Sequence, residues 1–158
     1  MANPVKPTSE GYHSITPALT CKDADKAIEF YKKAFGAQEI VRMPSPDGKI
    51  SHAELRIGDS IIFVSDEFPG MSIAPTASLP SSSLFLYVPD VDSVYKQAIA
   101  AGAVVAMPLQ DMFWGDRFGK VTDPFGHHWD LATHTEDVAP EEMERRARSY
   151  STKAASQS

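Results

Sequence analysis

The chain is 158 residues long, 42% hydrophobic and 23% charged with both signs present. That is one domain's length and a core-forming composition, which excludes a second full-size domain and a disordered or collagen-like chain. Twenty-one acidic residues against fifteen Lys and Arg give a net charge of -6, which disfavours nucleic acid and anionic membranes as partners. The lone cysteine, Cys21, excludes an internal disulfide. No apolar run approaches the roughly 18 residues that span a bilayer, and Met1-Ala2-Asn3-Pro4 opens no signal segment, so a cytoplasmic location is expected.

Residues 1–12, with two prolines and no periodicity, read as an extended arm. A strand follows over Ser14–Cys21. The first helix runs from Asp23 as N-cap to Gly36 as stop, with Ala24, Ala27, Ile28, Tyr31, Ala34 and Phe35 on one face. Strands come next over Glu39–Met43, His52–Ile57 and Ser60–Ser65, turned at Pro44-Ser45-Pro46-Asp47-Gly48 and at Gly58-Asp59. Residues 67–82 are Pro/Ser-rich and read as a linker. Beyond them lie a strand over Leu84–Val88 and a second helix from near Asp90 to Gly102, striped by Val91, Val94, Tyr95, Ala98 and Ala101. Strands over Val104–Met107, Phe118–Thr122 and His128–Ala132 follow, the last entered through the turn Asp123-Pro124-Phe125-Gly126. A final helix is expected over about 140–149, where Glu141 and Glu142 precede Arg145, Arg146 and Arg148 in the sense the helix dipole favours. Residues 150–158 read as a flexible tail.

This is β-α-β-β-β written twice. Asp23 and Asp90 stand 67 positions apart, Phe63 and Asp130 also 67, and Gly36 and Gly102 66; so constant an offset over a whole supersecondary unit marks an internal repeat. The expectation is an α+β fold, a single domain over 1–144 made of modules at about 14–66 and 83–134. Each helix covers one face of its sheet, and period-two alternation assigns that face Ile15, Leu19, Ala53, Leu55, Ile57, Ile62, Val64, Leu84, Leu86, Val88, Trp129 and Leu131. The opposite face receives Thr16, Ala18, His52, Glu54, Arg56, Ile61, Phe63, Ser65, Ser83, Phe85, Tyr87, His128, Asp130 and Ala132. Mixed polar and aromatic character of this kind suits a lined cavity.

The run Ile15-Thr16-Pro17-Ala18-Leu19-Thr20 followed by residues 27–36 (AIEFYKKAFG) resembles the opening of the vicinal oxygen chelate superfamily, which includes glyoxalase I, extradiol dioxygenases and the fosfomycin- and bleomycin-resistance proteins. His52-Ala53-Glu54-Leu55, residues 113–119 (FWGDRFG) and Asp123-Pro124-Phe125-Gly126-His127 resemble its PhnB-like subgroup. The resemblance covers about Ile15 to Glu144. It implies paired modules curled into a cup-like mixed sheet with the helices outside, in a homodimer, and a divalent metal held by the first and last strands of each module. Those positions are Thr16, Phe63, Ser83 and Asp130 here. Only Asp130 is a credible ligand, because a phenylalanine has no electron pair to donate to a metal. A displaced divalent site on His52, Glu54 and Asp130, with His128 or His134 approaching, is the alternative.

Several residues carry two readings. His52 and Glu54 are either site residues or a solvated strand face. If Glu54 and Asp130 converged away from water, one carboxyl would be pushed up and become a general acid or base. Trp114 and Arg117 read as an aromatic wall and a cationic anchor, or as a packed lid with Arg117 paired to Asp116 or Asp123. Cys21 reads as a small buried hydrophobe.

The favoured function is small-molecule binding of the bleomycin-resistance type, with no metal or other cofactor required. Its ligand would sit in the cup between the modules, against Thr16, His52, Phe63, Ser83, Phe85, Tyr87, Trp114 and Arg117. The alternative is a lyase, isomerase or dioxygenase-like enzyme using Glu54 and Asp130 as catalytic carboxylates, with a divalent ion as an open option. A third option is an interacting dimer with no ligand.

Overall fold

The computed structural model describes residues 5–76 and 82–157; residues 1–4 of the expected arm, 77–81 of the expected linker and 158 of the expected tail lie outside them. The chain divides into two compact units, Met1–Ser78 and Leu79–Ser158. Each is a four-stranded mixed sheet backed by one helix, so the fold is α+β and the repeat is real. Among the described residues, no helix is long and apolar enough to cross a membrane.

The first unit contains β1 (Ala18–Cys21), α1 (Ala24–Phe35), β2 (Gln38–Pro44), β3 (Ile50–Ile57) and β4 (Ser60–Asp66), in sheet order β1-β4-β3-β2. Helix α1 starts where the Asp23 carboxylate accepts from Lys26 N–H and ends at Gly36, whose φ of 66° is the left-handed cap that glycine tolerates best. Its apolar stripe buries Ile28 and Tyr31 completely on the side of Leu55 and Val64. The second unit contains β5 (Leu84–Tyr87), α2 (Val91–Ala100), β6 (Val104–Asp111), β7 (Asp116–Thr122) and β8 (His128–His134), in order β5-β8-β7-β6, and then α3 (Pro140–Ala155). Asp90 caps α2 through Ser93 N–H.

Register repeats with the sequence. Ala18 stands beside Phe63, and Phe85 beside Asp130, both in parallel pairs. The equivalence reaches single hydrogen bonds. Asp66 Oδ1 accepts the Ala24 N–H that opens α1 at 3.0 Å, and Thr133 Oγ1, 67 positions on, accepts the Val91 N–H that opens α2 at 2.8 Å. One geometry is thus maintained by a carboxylate in one copy and a hydroxyl in the other, each satisfying a first-turn donor that would otherwise be orphaned.

Several boundaries differ from expectation. Strand β1 starts at Ala18, not Ser14; Pro17 brings no N–H to a ladder, and Ile15, assigned to the helix side, is 85% exposed. Strand β5 stops at Tyr87, one residue before Val88. Strand β6 continues past Pro108 to Asp111, which an edge strand permits because an outward-facing proline forfeits no ladder bond. Helix α3 continues to Ala155, where a flexible tail over 150–158 was expected. There Tyr150 packs its ring 5.2 Å from that of Phe113, and Arg146 holds Glu136 at 2.9 Å; these contacts fasten a polar helix that has no buried residue of its own.

Candidate functional site

Strand alternation places most of the predicted site residues as expected, on the face away from each unit's helix. In the first unit His52, Glu54 and Phe63 come together, and Tyr12 of the arm joins them. The Tyr12 hydroxyl donates to Glu54 Oε2, and His52 Nε2 stands 2.9 Å from Glu54 Oε1. Both rings lean on Phe63, at centroid distances of 6.3 Å for Tyr12 and 4.8 Å for His52. Tyr12, the last residue of the arm, is therefore anchored on the first sheet. The tyrosine hydrogen bond, and secondly that of His52, hold the Glu54 carboxyl below the usual carboxylate range. That is opposite in direction to the raised carboxyl that acid–base chemistry would favour here, because the neighbours are donors rather than a second anion.

In the second unit the buried Asp130 carboxylate accepts from Ser83 Oγ at 2.5 Å and stands 3.4 Å from Lys120 Nζ. Phe85 and Tyr87 remain 47% and 58% exposed. Behind them the rings continue inward: Phe85 lies 4.9 Å from Tyr87 and stacks at 5.6 Å on the buried Phe118, which Trp114 meets edge-on at 5.4 Å. Met112, Phe118 and Ala132 form a small core on this face, with Met107 and Trp114 packed against it.

Asp116 fixes this wall. It is 2% exposed, and its Oδ2 accepts from Tyr87 Oη at 2.8 Å and Trp114 Nε1 at 2.9 Å. Its Oδ1 lies 2.9 Å from His134 Nδ1, whose Nε2 lies 2.8 Å from Asp137. Burial pushes the Asp116 carboxyl up, but the three hydrogen bonds outweigh it and leave it below its usual range. His134 faces a carboxylate at each ring nitrogen, so both must donate; Asp137 first and Asp116 second push the imidazolium up.

The sign of the resulting pH dependence follows from linkage. A histidine raised in the folded state contributes stability fully present below its ordinary value of 6.5 and lost as pH rises through the raised one. Urea midpoints are expected to fall as pH climbs above about 6.5, and His134→Gln is expected to flatten that slope. An unchanged slope in the variant would assign the dependence to another group.

Arg117 turns away from both expected partners. Its guanidinium pairs with Asp92 at 2.8 Å and Asp111 at 3.3 Å, tying β7 to α2 and β6, so it is a clamp within the unit. His128 is engaged by Thr122 at 3.1 Å. Thr16 precedes β1, and Cys21 is buried as expected. Sequence reasoning missed Tyr12 and Lys120 and gave Asp116 and His134 only passing roles; Asp116 lay beside the Trp114 already singled out, whereas Lys120 and Glu54 become equivalent only through strand register, each standing opposite the Asp130 or Phe63 of its own unit.

The fold and these positions can be set beside known proteins. The model of the Glyoxalase/Bleomycin resistance protein/Dioxygenase superfamily matches residues 12–131. The chain belongs to this superfamily. An uncharacterized Mycobacterium tuberculosis protein, Rv0887c, is 44% identical over 137 residues, covering 83% of this chain and 80% of that protein. The crystal structure of TioX from Micromonospora sp. ML1 is similar with a TM-score of 0.63 at 31% identity, covering 76% of this chain and 97% of that one. The fosfomycin resistance protein FosX from Listeria monocytogenes, solved with Mn(II) and sulfate, shares the fold with a TM-score of 0.61 at 16% identity, over 82% of this chain and 95% of that one.

Members of the superfamily such as FosX thus hold a divalent ion, and the residues here can be tested for that fit. Phe63 has no donor atom. Asp130 is already bound by the Ser83 hydroxyl, and the Lys120 ammonium supplies the positive charge beside it. Among the described residues no three His, Cys, Asp or Glu side chains group closely enough to hold one ion. The donor set does not fit the superfamily's metal, and the displaced His52–Glu54–Asp130 set gains no third ligand within either unit.

Proposed function

We propose that this chain is a small-molecule-binding protein that takes a small aromatic ligand on the open sheet face of its second unit. One observation carries the reading: Phe85 and Tyr87, each about half exposed, stand on a fixed aromatic base of Phe118 and Trp114 that the buried Asp116 locks in place. Exposed rings on a rigid support offer stacking area at little entropic cost. Asp116 and Asp130 beside them are matched by His134 and Lys120, so ring stacking rather than charge would select the ligand. The enzymatic alternative is weaker in support. Glu54 already accepts at both oxygens and is held low, and Asp130 is occupied by Ser83 and Lys120. A homodimer and a cytoplasmic location remain part of the proposal.

Naphthylmethylamine tests it. Titration is expected to change Trp114 emission saturably, with metal-free bleomycin as a second, larger probe. Phe85→Ala should weaken amine binding by about tenfold. Absence of any saturable change with either probe, or equal affinity in Phe85→Ala, would remove this face as the binding site.

A further inference from the structure

Apart from that sheet face, α3 and the turn before Asp116 form an open surface cavity of about 240 Å³ lined by Phe113, Arg145, Arg146, Ser149, Tyr150 and Lys153. We propose that this cavity is a separate binding site for a small planar aromatic carboxylate.

Charge selects the sign of the ligand. In a chain of net charge -6, three cations converge on one concavity. Two of them are held by acids at its margin: Arg146 by Glu136 at 2.9 Å and Glu142 at 2.8 Å, and Arg145 by the same Glu142 at 2.6 Å. Arg146 also donates to the Phe113 carbonyl at 3.3 Å, which fixes it to the cavity wall. Lys153 has no ion-pair partner among the described residues. Three cations against two carboxylates leave one positive charge, the complement of a monoanion.

Shape selects the rest. The Phe113 and Tyr150 rings pack on one another at 5.2 Å and 45°, presenting a joint aromatic wall against which a planar ring can lie, and Ser149 adds a polar residue to the lining. The volume is under the roughly 300–1,000 Å³ of pockets for drug-sized ligands, so one or two fused rings fill it. Tyr150 and Lys153 reach the cavity only because α3 continues to Ala155. A cation-lined concavity beside an aromatic pair also explains why a helix without buried residues carries Arg and Lys along one side.

Calorimetric titration of the full chain with naphthoate, against naphthalenemethanol as the uncharged control, tests the site. Naphthoate is expected to bind saturably, and in Phe85→Ala, where the sheet face is weakened, the alcohol at least fivefold more weakly than naphthoate. Lys153→Gln and Tyr150→Ala should each weaken naphthoate by about fivefold, with helix content checked by circular dichroism. Raising salt from about 0.05 to about 0.5 M should weaken it further. Phe85→Ala should leave it unchanged, which separates this site from the sheet face. No saturable heat, equal binding of the alcohol in Phe85→Ala, or wild-type affinity in Lys153→Gln would overturn the proposal. So would loss of binding in Phe85→Ala alone, since that would place naphthoate on the sheet face.

Discussion

Asp116→Asn is expected to lower the unfolding free energy by about 3 kcal/mol, read from urea denaturation near neutral pH. The aspartate accepts three hydrogen bonds on two oxygens while almost wholly buried. Asparagine keeps one acceptor oxygen and presents an amide N–H₂ to whichever donors faced the other. Either His134, or Tyr87 and Trp114 together, then meet a donor where they need an acceptor, and the imidazolium loses its buried counter-charge. Trp114 emission should shift in the same variant, since its indole N–H loses a fixed partner. Asp137→Asn removes only the exposed end of the same chain of contacts and should leave the urea midpoint nearly unchanged. Comparable losses in both variants would show that burial of Asp116 does not set its importance.

Gly115→Ala should be as damaging, for a reason unrelated to charge. Gly115 sits at φ 97°, and a β-carbon there would stand 2.1 Å from the Glu136 carbonyl oxygen and 3.1 Å from Val138 Cγ2. The approach is close because the Gly115 carbonyl accepts from Thr135 N–H at 2.8 Å and Glu136 N–H at 3.0 Å, so the segment leading to α3 lies directly on the turn. The methyl must displace backbone as well as adopt an unfavourable φ, at a combined cost of about 3 kcal/mol or more. Gly48 is the matched control, with φ 84° and nothing within 4 Å; alanine there should cost only about 1 kcal/mol. Thermal unfolding of the two variants measures the difference, and equal shifts would mean that backbone conformation rather than contact with Glu136 dominates.

Sequence revealed what depends on near neighbours. Asp23, Gly36 and Asp90 act as caps within one turn of themselves, and the alternation of β3 is reproduced residue by residue. The repeat spacing was legible because both copies obey one register. The losses are long-range. Nothing local tells Tyr12 to return 42 positions to Glu54, or Arg117 to choose Asp92, 25 positions away, over the adjacent Asp116. Asp116 itself looked like an ordinary turn acid until three chain segments, at Tyr87, Trp114 and His134, converged on it. The α3 extension was hidden because its support comes from Phe113 and Glu136 rather than from a stripe of its own.

The outer strands have a consequence for behaviour in concentrated solution. Both sheets end on one side with a four-residue strand, β1 or β5, too short to template much pairing. On the other side they end with β2 or β6, each interrupted by two register shifts and each containing a proline, Pro44 or Pro108. A neighbouring chain that tried to extend either sheet would find a short strand at one edge and an interrupted one at the other. Duplication doubled the number of sheet edges in this molecule, and the same irregularities recur in both copies, so resistance to fibrous self-assembly is built into the backbone itself and does not rest on the repulsion of its surplus acids.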